Sequence, residues 1–276
     1  MKRRLSTIII IVIFVFGLGL MLYPVISDLL NKAHQSYAIS TYDKNIAKLT
    51  KEDFHKILAD ARAYNKTVTE NEFPRDERDM QGNDEYLGAI DPSGNGMIGY
   101  LRIESIGLRM PIYHTTKESV LRNGVGHIPT TSLPVGGVNT HAVLTGHRGL
   151  PTAKLFTDLD KVKIGDRFLI YVLDDILAYK VVQIKTVVPT DTRDLQIVPG
   201  KDYVTLVTCT PYGINTHRLT VRGERVPYEE TIEAKATVTR DEEAGTPVAL
   251  IALVAAVGVL LGFVIILLIM TKKKEG

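Results

Sequence analysis

Two uninterrupted apolar runs stand near the ends of the chain and frame a longer region of mixed polarity. The first extends from Thr7 to Ile26 and the second from Val248 to Met270, and neither contains a charged residue. An α-helix rises about 1.5 Å per residue, so each run makes a helix of about 30 Å or more, enough to cross a hydrocarbon core. The pattern predicts two membrane-spanning helices, and two buried core helices are the alternative.

Basic residues stand between each apolar run and the nearer end of the chain. Residues 2–4 and residues 272–274 are all lysine or arginine. Because basic residues remain on the cytoplasmic side of a membrane, we expect both termini to be cytoplasmic and the region between the spans to be extracytoplasmic. The residues after the first run offer no convincing small-x-small cleavage site, which favours a retained anchor over a cleaved signal peptide.

The residues from Ser27 to about Thr69 have the pattern of helices. Thr50 followed by Asp53 is a variant of the capping box, in which each residue's side chain binds the backbone N–H group of the other. Apolar residues then recur at helical spacing along one face: Phe54, Ile57, Leu58 and Ala61. Such a stripe predicts a helix that packs against the main domain.

The polarity pattern changes after this helical part. Residues 69–85 are dense in charge, are interrupted by Pro74 and Gly82 and lack periodicity, which predicts a mobile loop. From Asp91 onward, turn residues lead into short runs rich in β-branched and aromatic residues. Seven such runs are expected to be strands: 97–103, 108–114, 140–146, 166–174, 178–188, 202–209 and 217–226. This density of short strands predicts a closed antiparallel sheet or a sandwich.

The composition narrows the classes of function. The formal net charge is +2, and no basic stripe with interleaved aromatic residues occurs, which argues against nucleic acid as a partner. Cys209 is the single cysteine, so no intrachain disulfide can form. A lone thiol in an extracytoplasmic protein is an intermolecular linker or a reactive group, and a small buried apolar residue is the alternative.

Cys209 and two further residues, a histidine and an arginine, fit covalent catalysis. A thiol needs a proton acceptor before it attacks, and a nearby cation stabilises the oxyanion that forms. His147 follows the end of one expected strand, and Arg218 begins the strand that follows Cys209 after a short loop. Antiparallel pairing of these two strands predicts that Cys209 and Arg218 lie close together at one end of the sheet. A metal site made of His127, His141 and His147 is the alternative use of the histidines.

The segment TLVTCTPYGINTHRL, which contains Cys209 and Arg218, resembles the active-site strand of the sortases, and LTGHRG resembles their histidine segment. The stretch from NGMIGYLRI to VRGERV is similar to the pilus-associated class C branch of that family. The resemblance implies a mainly β fold, namely a sortase-type eight-stranded β-barrel with N-terminal helices. In this chain the two transmembrane helices are expected to flank the barrel.

The resemblance also implies a reaction and the residues that carry it. Cys209 corresponds to the nucleophile that attacks the Thr–Gly bond of an LPXTG-like sorting signal, and His147 to the acid–base that protonates the leaving amine. Arg218 corresponds to the residue that holds the substrate backbone and the oxyanion. The implied partners are the membrane and pilin subunits with an acceptor lysine, and no cofactor or metal is implied. Three further arginines match no motif position and are interpreted as surface charges: Arg148, Arg222 and Arg225.

The chain departs from the resemblance in its lid. Class C enzymes commonly carry an N-terminal lid whose Asp-Pro-aromatic triplet covers the cysteine. Here the only Asp-Pro pair, Asp91-Pro92, precedes Ser93 and stands directly before the first expected strand. The expected lid region, 69–85, offers Phe73 as a replacement for the aromatic residue. We therefore expect an atypical or weakly closing lid.

The sequence thus predicts six successive segments. They are a membrane anchor (1–26), a helical segment with the lid loop (27–86), the catalytic barrel (87–228), a linker (229–246), a second transmembrane helix (247–270) and a basic cytoplasmic tail (271–276). The expected function is a transpeptidation that polymerises pilins. A housekeeping sortase that anchors proteins to peptidoglycan is one alternative, and a non-enzymatic surface protein that is itself sorted to the cell wall is another.

Overall fold

The computed structural model describes most of the N-terminal helices and the whole barrel, and its described residues are 2–70, 83–228 and 258. The predicted linker, second transmembrane helix and basic tail lie outside these residues, apart from Gly258. Most of the predicted lid loop, namely residues 71–82 with Phe73 among them, lies outside them as well.

Two long helices precede the barrel. α1 spans Lys2–Ile46, and α2 spans Lys51–Glu70. The part Ile9–Ile46 of α1 is long and apolar enough to cross a membrane, and it is the one such helix in the described part of the chain. The compact unit that contains the barrel spans His34–Glu229.

The predicted capping box at the start of α2 is confirmed. Asp53 Oδ2 accepts hydrogen bonds from the backbone N–H and the hydroxyl of Thr50, at 2.8 Å and 2.7 Å. The backbone N–H of Asp53 donates to Thr50 Oγ1 at 3.2 Å. These bonds satisfy N–H groups that the first turn of a helix leaves without partners, and they fix where α2 begins.

The predicted apolar stripe of α2 packs against the barrel core. Ala61 is fully buried there, and three partly buried residues of the stripe contact the same core: Phe54, Ile57 and Leu58. Further along α2, the buried side-chain amide of Asn65 accepts from the backbone N–H of Leu133 at 2.7 Å and donates to its carbonyl at 3.1 Å. Apolar burial and a paired amide therefore hold α2 against the barrel.

Eight strands form the barrel: β1 (Met97–Ile103), β2 (Leu108–His114), β3 (Val125–His127), β4 (Thr140–Thr145), β5 (Arg167–Val172), β6 (Asp175–Val187), β7 (Asp202–Thr210) and β8 (His217–Val226). The sheet closes in the order β1–β2–β3–β4–β7–β8–β6–β5, with β5 paired to β1. The expected eight-stranded barrel is confirmed. The expectation of a purely antiparallel sheet is wrong, because β2–β3 and β4–β7 are parallel pairs.

Short helices occupy the connections: α3 (Asp84–Gly88), α4 (Glu118–Leu121) and the 3₁₀ helices Glu104–Ile106, Leu155–Lys161 and Arg193–Leu195. Strand β3 has only three residues, too few to show an alternating pattern, and the sequence did not predict it.

Aromatic and aliphatic side chains fill the barrel. Phe168 on β5 and Tyr179 on β6 are fully buried, and their rings stack with centroids 5.5 Å apart. The Tyr179 hydroxyl donates to Asp202 Oδ1 at 3.0 Å, so this buried polar atom is satisfied. The filled interior makes the barrel a rigid support for the residues at its rim.

Candidate active site

The lone cysteine and its neighbouring arginine lie at one end of the β7–β8 pair. Cys209 is the second-to-last residue of β7, and Arg218 is the second residue of β8. The two residues are direct partners in the antiparallel register. The thiol is free and partly exposed. The predicted proximity of Cys209 and Arg218 is therefore confirmed.

His147 comes to the same end through the parallel pair β4–β7. The last paired residues are Thr145 and Val207. The two chains stay side by side beyond them, because the backbone N–H of Gly146 donates to the carbonyl of Val207 at 3.1 Å. In parallel strands both chains advance in the same direction. His147, two residues after Thr145, therefore lies at the level of Cys209, two residues after Val207.

Gly146 allows this turn of the chain. An added Cβ at Gly146 would lie 2.8 Å from the ring of Phe156, closer than non-bonded atoms approach. The Thr208 hydroxyl donates to the Gly146 carbonyl at 2.8 Å, and the backbone N–H of Phe156 donates to the His147 carbonyl at 3.0 Å. Hydrogen bonds from Thr208 and Phe156 thus hold the backbone at Gly146 and His147 in place.

The imidazole of His147 is paired with a carboxylate that the sequence did not indicate. Its Nε2 atom lies 3.1 Å from Glu118 Oε2, and 27% of the His147 side chain is exposed. Arg122 Nε donates to the other oxygen, Glu118 Oε1, at 2.8 Å. These hydrogen bonds, from Arg122 first and His147 second, lower the pKa of Glu118. The carboxylate is therefore ionised at neutral pH.

The guanidinium of Arg218 contacts backbone carbonyls of its own loop. Its Nη1 donates to the carbonyls of Asn215 at 3.2 Å and His217 at 3.1 Å. A guanidinium has five N–H donors in a planar fork. Arg218 therefore has donors besides those of Nη1 for a further acceptor beside Cys209.

Arg148 is not the surface charge that the sequence suggested. Its side chain is only 8% exposed, and it forms a close ion pair with Asp160 in the 3₁₀ helix Leu155–Lys161. Its Nη1 also donates to Thr210 Oγ1 at 3.2 Å. Arg148 follows His147 in the chain and Thr210 follows Cys209, so this hydrogen bond joins the two segments that carry the candidate residues.

The interpretation of Arg222 and Arg225 as surface charges is also wrong in part. The side chain of Arg222 is 12% exposed, and its guanidinium lies over the ring of Tyr203 and pairs with Asp194 Oδ1 at 3.4 Å. Arg225 is partly exposed and lies over the ring of Tyr179. Both residues sit on β8 beyond the register position of Arg218 and contact the barrel wall rather than the rim.

The histidines considered as metal ligands do not come together with His147. His127 accepts from the Tyr86 hydroxyl at Nδ1, 2.9 Å away, and donates from Nε2 to the Ser132 carbonyl at 2.8 Å. His141 donates from Nδ1 to the Gln196 carbonyl at 2.9 Å and accepts from Thr205 Oγ1 at Nε2, 2.7 Å away. Among the described residues no group of three or more histidine, cysteine, aspartate or glutamate residues is arranged to hold a metal ion.

The only Asp-Pro pair serves a turn before the barrel. Asp91 Oδ1 accepts from the backbone N–H groups of Asn95 and Gly96, each at 3.0 Å. Asn95 Oδ1 in turn accepts from the N–H of Met97, the first residue of β1. Asp91 therefore fixes the entry into β1. The region expected to form the lid lies largely outside the described residues, so the atypical lid stays a prediction.

Taken together, the rim of the barrel presents a thiol on β7, a guanidinium on β8, and an imidazole paired to a carboxylate just after the end of β4. Imidazole and thiol at neighbouring positions can exchange a proton, and the resulting thiolate is the nucleophilic form. A guanidinium beside the thiol can stabilise an oxyanion. The arrangement suits acyl transfer through a thioester, and the individual roles of Cys209, His147 and Arg218 stay a prediction.

Comparisons with known proteins agree with this chemistry. A family model described as the sortase domain matches residues 101–226. Sortase A of Bacillus anthracis is 30% identical over 130 residues, a match that covers 47% of this chain and 60% of that protein. The chain thus spans less than two thirds of that relative.

Solved structures match over a longer part of the chain. Sortase C1 from Streptococcus agalactiae is 45% identical with a TM-score of 0.66, and the match covers 70% of this chain and 100% of that chain. Sortase C from Streptococcus pneumoniae is 43% identical with a TM-score of 0.64 and is covered completely, over 71% of this chain. The Streptococcus pneumoniae structure is described as informative on catalysis and on pilin substrate specificity.

Proposed function

Because this chain belongs to the sortase family of cysteine transpeptidases, in its class C branch, we propose that it polymerises pilin subunits at the membrane. It cleaves an LPXTG-like sorting signal between threonine and glycine and joins the threonine acyl group to a lysine amine of the next pilin. The observation that carries the proposal is the pairing of Cys209 with Arg218 in the β7–β8 register. The position of His147 at the end of β4 supports it.

The first half of the reaction forms a thioester. The thiolate of Cys209 attacks the threonine carbonyl carbon, and the carbonyl π electrons move to oxygen to give a tetrahedral oxyanion. Arg218 donates hydrogen bonds to that oxyanion, which lowers the barrier most when the donors are already in place. The C–N bond then breaks, and the imidazolium of His147 gives its proton to the glycine nitrogen, so that a neutral amine leaves.

The second half returns the enzyme to its starting state. The lysine amine of the acceptor attacks the thioester carbon, and the neutral imidazole of His147 takes one proton from the amine nitrogen. The C–S bond breaks, and the sulfur leaves as the thiolate of Cys209. Splitting one acyl transfer into two covalent steps lets the same thiol serve as nucleophile and as leaving group.

Membrane attachment is part of the proposal. The apolar part of α1 supplies an N-terminal anchor by its length and composition. The apolar run 248–270, followed by three lysines, supports a second span, with both termini cytoplasmic and the barrel extracytoplasmic. The site would then face the compartment in which pilins are assembled.

Mass spectrometry of the full chain in detergent micelles tests the reaction. The protein is mixed with an LPXTG-type peptide, with and without a lysine-containing pilin peptide. We expect a thioacyl adduct on Cys209 that disappears when the acceptor is added, with appearance of the joined peptide. Cys209→Ala should give neither product, and an adduct-free wild-type protein would contradict the proposal.

Two matched variants test the role of His147. His147→Ala should reduce turnover by about 100-fold or more, the usual contribution of a positioned acid–base. His217→Ala is its control, because His217 is also at the rim but its ring bonds, among the described residues, only the adjacent Thr216 hydroxyl, at 3.0 Å. Equal loss in both variants would contradict the role of His147. Transfer to a peptidoglycan stem-peptide amine in place of the pilin lysine would identify a housekeeping sortase instead.

A further inference from the structure

We infer that Glu118 is a positioning residue for His147, a role that rests on the proposed function. Glu118 Oε2 lies 3.1 Å from Nε2 of the imidazole. No hydrogen-bond partner of the other ring nitrogen, Nδ1, lies among the residues that the structure describes. A histidine that is bonded on one side by a carboxylate has its ring orientation fixed and its other nitrogen left for proton exchange. Nδ1 is therefore the atom that exchanges the proton in the reaction.

Glu118 is itself held in place at both oxygens. Oε1 accepts from Arg122 Nε at 2.8 Å, one helical turn further along the chain. The carboxylate thus bridges Arg122 and His147, and these two hydrogen bonds lower its pKa. An ionised carboxylate beside an imidazole stabilises the imidazolium, which is the form that protonates the leaving amine.

The helix that carries Glu118 is fixed to the body of the protein. Glu118 is the first residue of α4, and the side chain of Asn123, just past its end, donates to the Ser119 carbonyl at 2.8 Å. The buried Gln35 of α1 donates from Nε2 to the Asn123 carbonyl at 3.2 Å. These bonds give α4 a defined position relative to the barrel rim, as positioning of a catalytic group requires.

Stability does not account for this arrangement. The side chains of Glu118 and Arg122 are 57% and 68% exposed, and exposed ion pairs add little to the free energy of unfolding because solvent screens them. The carboxylate nevertheless contacts a histidine that lies 29 residues later in the sequence. A role in positioning the imidazole explains why Glu118 lies beside His147.

The charged and titratable groups around His147 are few. Glu118 faces it from α4 with Arg122 behind, and Cys209 and Arg218 lie on the adjacent strands β7 and β8. The next residue, Arg148, is neutralised by Asp160. Glu118 is thus the one carboxylate that contacts the imidazole among the described residues, so its substitution removes the charged partner that orients the ring.

A split between kcat and KM tests the inference. In Glu118→Gln, which keeps the shape and loses the charge, kcat should fall about 10-fold, a part of the 10²–10⁴ that a positioned acid–base contributes. KM should stay within about twofold, because the proposed role of Glu118 is to orient the imidazole and not to bind the substrate.

Two control variants separate charge from structure. Glu118→Asp retains the carboxylate and should recover part of the rate. Arg122→Gln keeps the charge of Glu118 and removes only one of its two hydrogen bonds, so it should cost less than Glu118→Gln. A Glu118→Gln enzyme with unchanged kcat overturns the inference, and so does one with a raised kcat, which would mean that Glu118 holds His147 away from the reaction.

Alkylation of Cys209 gives a readout that needs neither sorting signal nor acceptor. Full-length protein in micelles is treated with iodoacetamide at neutral pH, and alkylation is followed at Cys209, the only thiol in the chain. Glu118→Gln should lower the alkylation rate several-fold, because an imidazole that is no longer held in place takes the thiol proton less efficiently. In a His147→Gln background the same substitution should have no effect. An equal effect in both backgrounds overturns the inference, whereas failure of transpeptidation in the wild type counts only against the proposed function.

Discussion

Three histidines of this barrel differ in their surroundings, two in the interior and one at the rim. His127 and His141 are fully buried, and both ring nitrogens of each are bonded to hydroxyl groups or backbone carbonyls. His147 is 27% exposed, and its one described partner is an ionised carboxylate. Neutral, saturated partners hold a histidine in one state, whereas a carboxylate on one side and an open second nitrogen allow proton transfer.

Burial keeps the rings of His127 and His141 neutral. Desolvation lowers the pKa of His127 to about 3 and that of His141 to about 4, in spite of the hydrogen bonds that the rings donate to the Ser132 and Gln196 carbonyls, which act in the opposite direction. Both rings are neutral at physiological pH and cannot exchange protons there. They belong to the frame of the barrel, whereas His147 at the rim is the histidine with a proposed part in the chemistry.

The largest expected effect is a loss of stability in acid. An unfolded histidine has a pKa of about 6.5, so below that pH the unfolded chain binds protons that the folded chain refuses. Stability is therefore lost as the pH falls from about 6.5 toward 4, the folded value of His141. At pH 5 the two histidines together should cost about 4 kcal/mol relative to pH 7. Denaturant unfolding at the two pH values measures this.

A substitution at one site isolates the contribution of the buried rings. His141→Gln should remove about half of the contribution that His127 and His141 make together, because one of these two rings is gone. Burial also lowers the pKa of His114, so that residue adds to the acid dependence in both proteins. His55→Gln, on the exposed surface of α2, should leave the dependence unchanged. Equal acid dependence in wild type and His141→Gln would show that other groups control it.

A somewhat smaller effect is expected from removing a buried ring altogether. His127→Leu removes the ring's hydrogen bonds with the Tyr86 hydroxyl and the Ser132 carbonyl, although the Tyr86 hydroxyl keeps its bond from the backbone N–H of Thr115. A buried polar group that loses a partner costs about 1–3 kcal/mol, so the loss should be about 3 kcal/mol of unfolding free energy. A loss below about 1 kcal/mol would mean that the rings are not part of the frame.

Substitution of Arg148 tests whether a residue at the rim also contributes to the free energy of unfolding. Arg148→Met removes the ion pair to Asp160 and the hydrogen bond to Thr210. We expect a loss of about 2 kcal/mol, less than for a fully buried pair because Asp160 is 46% exposed and regains water. Arg148→Lys keeps the charge but not the planar fork, and it should recover only part of the loss. Full recovery with lysine would show that charge alone matters.

The sequence predicted local features better than distant ones. The strands 97–103, 108–114 and 217–226 were predicted with the bounds that the structure gives, because alternation and turn residues are local signals. The contact of Cys209 with Arg218 followed from a short loop between neighbouring strands. The parallel pairs were missed because nothing in the local pattern of a strand reports the direction of its partner.

The environment of the candidate site was predicted only in part. The resemblance identified His147, but Glu118 lies on a helix of four residues, too short for a periodic pattern, and 29 positions before its partner. Arg148 was interpreted as exposed because arginine usually is. Its partner Asp160 stands 12 positions away in a 3₁₀ helix, where no spacing rule connects the two residues. Long-range pairing of charges therefore had to come from the fold.

The smallest expected effect concerns His147 itself, and it completes the contrast with the buried rings. His147→Gln should change the unfolding free energy by no more than about 0.5 kcal/mol, the range of ordinary surface substitutions. The reason is that the side chains of His147 and Glu118 are both accessible to water in the wild-type protein. The same variant should lose at least 100-fold in turnover. Unfolding curves and rates measured on one preparation check both statements. A His147→Gln protein as destabilised as His127→Leu would place His147 in the frame, and the separation of a structural and a reactive group of histidines would no longer hold.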